Sequence, residues 1–229
     1  GVQTCALPIY DVFTMDKILL GDVFIRGGSS SGTHVLEEGR PIGQFYGLVC
    51  NGIDENGRYI MVDKDGDGEI SDPADYDYIG SAQPKLTYGI TNTFRYKNFD
   101  LSFFLRGTIG NDILNATRMA YAQSGFLPGT NALDDPLTYT LSETPRFSNY
   151  YLEKGSFMRL DNLTLGYKIK ALNGIRVYFT AQNLFVITKY KGLDPEVPMD
   201  SGDGLTPGVE PREFYPKART FSVGLNLNF

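Results

Sequence analysis

Tryptophan is absent from the 229 residues, histidine occurs once (His34) and cysteine twice (Cys5 and Cys50). One imidazole and two thiols cannot assemble a four-ligand zinc centre, and they cannot staple a disulfide scaffold. No run of about 18 apolar residues occurs, which excludes a membrane-spanning helix. Clustered basic charge is also lacking: 21 Lys and Arg stand against 27 Asp and Glu, for a formal net charge of −6. A phosphate-backbone binder needs the opposite balance, so nucleic acid is excluded as a partner. What is present is a 41% hydrophobic chain, too apolar for wholesale disorder. Its 15 Tyr, 15 Phe and 26 Gly suit aromatic-rich strands and open loops.

Residues 1–9 (GVQTCALPI) read as the translation of a common short-read sequencing adapter. The adapter's final T also supplies the first base of a Tyr codon, as Tyr10 requires. They are set aside from fold reasoning. The expectation is that Cys50 is then the single natural cysteine and that the natural start of the chain lies upstream. The lack of a leader peptide says nothing about compartment.

Period two dominates the remainder. Leu86, Tyr88, Ile90, Asn92, Phe94 and Tyr96 share one parity, against Thr87, Gly89, Thr91, Thr93, Arg95 and Lys97. Phe99, Leu101, Phe103, Leu105 and Ile109 repeat the pattern, with Phe104 as the exception on the polar side. Phe221, Val223, Leu225, Leu227 and Phe229 give its cleanest form. Leu163 to Ile169 and Ile175 to Ala181 add two more sets, with a phase break over Phe157 to Asp161. These are two-faced strands. They are longer than the roughly five to six residues usual in globular sheets and match the ~9–11 of a transmembrane β-strand. A soluble β-sandwich with one wet face alternates equally well.

The connections decide for the barrel. Lys97-Asn98 and Lys170 to Gly174 are short turns, whereas Ile53 to Pro84, Asn111 to Ser156 and Lys189 to Arg219 read as long irregular stretches. Strict alternation of short and long connections is the habit of bacterial outer-membrane barrels. With the short turns periplasmic, Phe229 falls on that side too, and Tyr96, Phe99, Tyr167 and Phe229 gather as an interfacial girdle. The expectation is an all-β fold: about five or six antiparallel strands forming the C-terminal segment of a large transmembrane β-barrel, incomplete on its own. Leu86, Tyr88, Ile90, Phe94, Leu101, Phe103, Leu225 and Leu227 should face outward, and Thr91, Arg95, Arg106 and Asn226 inward.

Most candidate chemical motifs fail. Gly27 to Gly32 has P-loop spacing, but Thr33-His34 follows where Lys and Ser/Thr are required, so a flexible turn is expected. His34 is expected to be a solvated loop residue. Glu37-Glu38 and Asp134-Asp135 read as solvated loop acids. No nucleophile stands with a base, so no enzyme is expected. One motif survives: Asp63-Lys64-Asp65-Gly66-Asp67-Gly68-Glu69-Ile70-Ser71 reads as the first nine positions of a calcium loop. Asp63, Asp65 and Asp67 would converge on the cation, Gly68 at the sixth position permits the sharp turn, and Glu69 offers its carbonyl. The acid expected at the twelfth position is replaced by Ala74, for which Asp72 or Asp75 could substitute.

From about Gly39 to Phe229 the chain resembles the C-terminal part of SusC/RagA-type TonB-dependent transporters. The resemblance rests on GRPIGQFYGLVCNGID (39–54), DKDGDGEI (63–70), the 79–115 block, GSFMRLDNLTLGYKI (155–169), IRVYFTAQNLFVITKYKGLDPEV (175–197) and YPKARTFSVGLNLNF (215–229). Gln182-Asn183-Leu184, Lys189-Tyr190-Lys191-Gly192 and Asp194-Pro195-Glu196 are its most specific parts. The resemblance implies a barrel of about 22 strands closed by an N-terminal plug. It further implies a SusD-like surface lipoprotein as partner and import of oligosaccharides or peptides, powered through the TonB complex, which engages the plug region. Phe229 would be the signal read by the barrel-assembly machinery, and outer-membrane lipid would cover the apolar face. Loop aromatics Tyr121, Phe126, Tyr139, Tyr150 and Tyr151 are candidates for contact with cargo or lipoprotein. A secreted, calcium-stabilised β-sandwich adhesin and a passive porin are the alternatives.

Overall fold

The structure, a computed structural model, describes residues 17–25, 28–124, 127–129, 131–170, 175–197, 204–211 and 215–227. The adapter-like nonapeptide, Phe126 and Phe229 lie outside them. The chain divides into two compact units, the first drawn from residues 1–81, 119–151 and 199–207, the second from 82–118, 152–198 and 208–229.

In the first unit, β1 (Ile18–Ile25), β2 (Gly28–Leu36) and β3 (Gln44–Leu48) precede a small hairpin of β4 (Cys50–Ile53) and β5 (Tyr59–Met61). With β6 (Tyr76–Ser81) they complete an antiparallel sheet of order β1-β2-β3-β6. Its core holds Phe45, Leu48, Tyr76, Phe147 and Tyr151. Phe147 packs where Gly47 has no side chain: a Cβ there would meet the Phe147 ring at 2.5 Å.

Two expectations fail here. Gly28 to Gly32 belong to β2, so the glycine-rich stretch is strand and not turn. His34 is fully buried on the same strand, against Phe45 at 4.4 Å between ring centroids. Its Nε2 lies 2.9 Å from the Pro207 carbonyl, and its Nδ1 lies 2.9 Å from the Thr33 hydroxyl. A carbonyl only accepts, so Nε2 carries the proton and Nδ1 accepts from Thr33. Burial is tolerated because both ring nitrogens are satisfied.

The second unit is built on five long strands: β7 (Leu86–Tyr96), β8 (Phe99–Ile109), β11 (Phe157–Ile169), β12 (Ile175–Thr188) and β13 (Thr220–Asn226). Between β8 and β11 the chain forms β9 (Asp112–Leu114), α1 (Ala116–Tyr121), α2 (Pro136–Thr140), a 3-10 turn (Asn149–Tyr151) and β10 (Leu152–Lys154). The stretches 53–84 and 111–156 are therefore not irregular, contrary to expectation. Their elements are too short to show a period. Asp135 is one reason: its carboxylate accepts the Leu137 N–H at 2.9 Å and caps α2, with Pro136 following.

The large sheet runs β13-β12-β11-β8-β7, antiparallel throughout. Directly paired residues share a face, so the register sorts the side chains. On one face the rows are Leu86–Ile109, Tyr88–Gly107–Met158–Ile187, Ile90–Leu105–Leu160–Phe185 and Asn92–Phe103–Leu163–Ala181–Phe221. Phe94–Leu101–Leu165–Phe179–Val223 and Tyr96–Phe99–Tyr167–Val177–Leu225 complete it. The other face carries a row of hydroxyls, Thr93–Ser102–Thr164–Thr180–Ser222, with Arg95, Asp100, Arg106, Arg159, Arg176 and Asn226. The parity read from sequence holds: Thr91, Arg95, Arg106 and Asn226 lie opposite the Leu and Phe face. Gly166 is needed on the polar face, because the Asp100–Arg176 ion pair (2.5 Å) passes where its Cβ would stand.

The phase break is a bulge. Pairing steps from Leu160↔Phe185 to Asn162↔Gln182, so β12 spends one residue more than β11 there. Asn183 supplies it with a left-handed φ of 50°, the conformation Asn accepts better than other side-chain-bearing residues. Against β8 the extra residue is Asp161 on β11. Lys97, at the two-residue turn, takes φ 55°.

Candidate functional site

Two constellations stand out, one in each unit. In the first, Asp63, Asp65 and Asp67 present carboxylate oxygens that all lie within 4.8 Å of one another. Short side chains bonded to main chain two to five residues onward set this turn. Asp63 accepts from Gly66 N (2.6 Å) and Gly68 N (2.9 Å), Asp65 from Asp67 N (3.1 Å), and Asp67 from Glu69 N (2.8 Å). Gly66 and Gly68 take φ 79° and 89°. The main-chain N–H of Asp67 acts most strongly on Asp65 and lowers its pKa. Desolvation and the carboxylates of Asp67, Asp75 and Asp63 together outweigh it, and the pKa is raised.

Of the five residues expected around a cation, Glu69 and Asp75 stand outside this group. Asp75 is buried and does another job. Its carboxylate accepts from Ser71 N (2.8 Å) and Lys64 N (2.6 Å), which pulls the ends of the loop together and holds its own pKa below the usual carboxylate range. Three carboxylates on a tight turn are oxygen donors of the kind a hard cation such as calcium takes.

The loop aromatics divide. Tyr151 is wholly buried, in contact with Tyr150 and with its hydroxyl 2.5 Å from that of Tyr59, whose pKa burial pushes up to about 12. It is core, and contact with cargo is ruled out for it by burial. Tyr121 and Tyr150 are half-buried, and Tyr139 is 74% exposed.

The second constellation was not read from the sequence. Arg106 on β8 and Arg159 on β11 are directly paired on the polar face. Like charges so placed repel, and the segment after β12 supplies the remedy. Glu196 grips Arg106 with two bonds, Oε1 to Nη1 at 2.5 Å and Oε2 to Nη2 at 2.9 Å. Asp194 takes Arg159 Nη2 at 2.5 Å, both side chains nearly fully buried. Asp161, the bulge residue, adds a bond to Arg106 at 3.2 Å, and Lys217 reaches Glu196 at 2.5 Å. Burial works to raise the Glu196 pKa, but the bonds from Arg106 and Lys217 prevail and hold it below the usual range.

The same segment is tied elsewhere. The Tyr190 hydroxyl donates to the buried Glu210 carboxylate, which also accepts from Thr117 Oγ1 (2.5 Å) and Leu193 N (3.3 Å). Burial, then the Glu210 charge, raises the Tyr190 pKa strongly. Lys191 N donates to Glu153 at 2.7 Å. Residues 190–197 thus form a strap tied to the sheet wall and its neighbours through Tyr190, the Lys191 and Leu193 N–H groups, Asp194 and Glu196.

No family model matches the chain. TonB-dependent receptor P3 of Formosa agariphila is 34% identical over 237 aligned residues, covering 86% of this chain and 23% of that protein. TonB-dependent receptor SusC of Bacteroides thetaiotaomicron is 36% identical over 228, covering 91% of this chain and 21% of that protein. Among solved structures, the RagAB peptide transporter matches with TM-score 0.69 and 25% identity, over 93% of this chain and 25% of that one.

The chain belongs to the SusC/RagA family of TonB-dependent outer-membrane receptors.

It spans about a fifth to a quarter of the length of the receptors it matches. In the receptor barrel, its five-stranded sheet with one apolar and one polar face is a sector of the wall. The signals that mark the family in this chain find physical roles there. Asn183 makes the wall bulge, and Asp194 and Glu196 neutralise paired wall arginines. The strap could have been suspected from two arginines on polar parity positions and a downstream acidic pair. Nothing in the sequence says that they meet.

Proposed function

We propose that the full receptor imports oligosaccharides or peptides across the outer membrane of a Gram-negative bacterium. TonB would power it, and a SusD-like surface lipoprotein would capture the cargo. The observation that carries this reading is a sheet with one continuous apolar face and one polar, charge-paired face, in a chain akin to TonB-dependent receptors and to a peptide importer. Import of labelled peptides and oligosaccharides by cells producing the full receptor is expected to stop when either the receptor or TonB is removed. Uptake independent of TonB would favour a passive porin and overturn the proposal. Purification of the receptor from membranes should bring the lipoprotein with it.

The long connections lie outside the cell and the C-terminus in the periplasm in this reading. A tag inserted after Asp134 should then be labelled on intact cells, and one at Lys97-Asn98 should not. Phe229 serves assembly: its deletion should lower the amount of receptor in the outer membrane and leave import per inserted molecule unchanged. Wild-type surface levels after the deletion would remove that role.

The acidic loop binds calcium in a structural role, through Asp63, Asp65 and Asp67. Bound cation would reverse the mutual repulsion of these carboxylates. Calorimetry on the intact receptor is expected to show calcium uptake that Asp67→Ala abolishes. No heat of binding with the natural sequence would reject the site.

A further inference from the structure

A cleft of about 460 Å³ opens at the long-connection end of the sheet, where the apolar rows stop. It arises from a mismatch of size. Small Ser156 leads into β11, while Tyr88, Ile109 and Ile187, all residues of the apolar face, stand around it as walls. Ile109 and Ile187 are about half exposed. Lys154 and Lys189 line the same cleft. Lys154 is paired with Asp112 at 2.7 Å, but its side chain is 76% exposed, and an exposed pair of this kind is weak enough to exchange. Lys189 has no ion pair among the described residues, so the cleft keeps a net positive charge.

We propose that this cleft holds the phosphorylated headgroup of an outer-leaflet lipid, with its acyl chains continuing down the apolar rows. The inference rests on the outer-membrane orientation given above. An apolar hollow with ammonium groups at its rim matches an anionic amphiphile. A sugar is disfavoured because the lining hydroxyls are already engaged within the chain: Thr108 donates to Asn111 Oδ1 at 3.2 Å, Ser156 Oγ accepts from Gly110 N at 2.9 Å, and Thr188 donates to the Ser156 carbonyl at 3.0 Å. A second protein is disfavoured because the hollow is continuous with the face that lipid must cover. Lipid recognition by basic groups at the end of a membrane-spanning wall follows ordinary headgroup electrostatics.

The test uses the full receptor in phosphatidylcholine nanodiscs doped with monophosphoryl lipid A, with retained lipid counted by native mass spectrometry. Wild type is expected to keep the phosphorylated lipid, and Lys154→Gln with Lys189→Gln to retain about thirtyfold less, the loss of two headgroup contacts. Lys97→Gln with Lys168→Gln, at the opposite end of the sheet, should retain it as wild type does. Equal retention by wild type and the Lys154/Lys189 variant would overturn the cleft while leaving the membrane reading intact. Equal loss in both double variants would show general charge attraction and overturn it as well. Displacement by inorganic phosphate, with no dependence on the lipid's acyl chains, would mean a phosphate site and not a lipid site. Failure of the receptor to reside in the outer membrane would instead overturn the reading on which the proposal rests.

Discussion

At Arg106 and Arg159 two guanidinium groups face each other across neighbouring strands, and the carboxylates that make this tolerable come from a different part of the chain. The Arg159–Asp194 pair is the one shielded from water, with side chains 3% and 5% exposed. Removing one member of such a pair leaves a buried charge, which costs about 3–5 kcal/mol. Asp194→Asn is therefore expected to lower the urea midpoint of the full receptor, followed by loss of its heat-modifiable folded form on gels. Replacing both partners, Arg159→Met with Asp194→Leu, should recover much of the loss, since no charge remains to be compensated. An unchanged midpoint for Asp194→Asn would remove the clamp from the list of stabilising features. Glu196 gives the same strap a pH dependence. Its pKa is lower in the folded protein than in the unfolded chain, so its stabilisation is complete above the ordinary Glu pKa and is lost as pH falls through the folded value. Glu196→Gln should flatten the acid limb of a stability–pH curve and leave the neutral plateau lower. A variant with an acid limb as steep as wild type would assign that limb to other carboxylates.

Among the elements, the β11–β12 pair is governed by one residue. Asn183 sits at φ 50° and lets β12 carry an extra residue, and its side chain donates to the Ala218 carbonyl at 3.1 Å. A side-chain-bearing residue without Asn's local bonding pays about 1–2 kcal/mol in this conformation. Asn183→Val is expected to destabilise the receptor by that amount, measured by thermal unfolding. Asn183→Gly should stay close to wild type, and equal behaviour of the two would mean that backbone conformation is not what selects Asn. The bulge also marks the limit of what the sequence made legible. In β7, β8 and β13 the apolar and polar parities are legible from end to end, with Asn92, Phe104 and Gly107 as the departures, because each strand has a lipid-type face and a wet face along its whole length. Over Phe157 to Asp161 the break in phase was visible, but its cause requires the register with two neighbouring strands at once. The clamp joins residues 90 apart in sequence, and the burial of His34 depends on Pro207, 173 residues away. No local pattern encodes either contact. The three-residue strands β5, β9 and β10 are too short to display a period at all.

For the whole molecule, the question is what covers the apolar face. Its six rows span the 11 residues of β7, and at ~3.3 Å per residue and a tilt near 40° they make a band of about 25 Å, the height of an outer-membrane apolar belt. Tyr96, Phe99 and Tyr167 close one end, with Phe99 and Tyr167 in ring contact at 4.6 Å. Ile90 lies near the middle of the band and is about half exposed, whereas Thr91, its neighbour in sequence, belongs to the polar face. The two positions therefore carry opposite expectations for one substitution. Ile90→Arg places a guanidinium near the bilayer midplane and should cost about 2–4 kcal/mol in the full receptor folded into lipid vesicles. Thr91→Arg places it on the polar side and should fall within about 0.5 kcal/mol of wild type. A sandwich with a wet face would not discriminate in this way, because arginine at a half-exposed site in water is nearly neutral. Equal tolerance at both positions, measured by reversible urea unfolding from the vesicles, would mean that water and not lipid meets the Leu and Phe face. Intolerance at Thr91 alone would mean that the faces have been assigned the wrong way round.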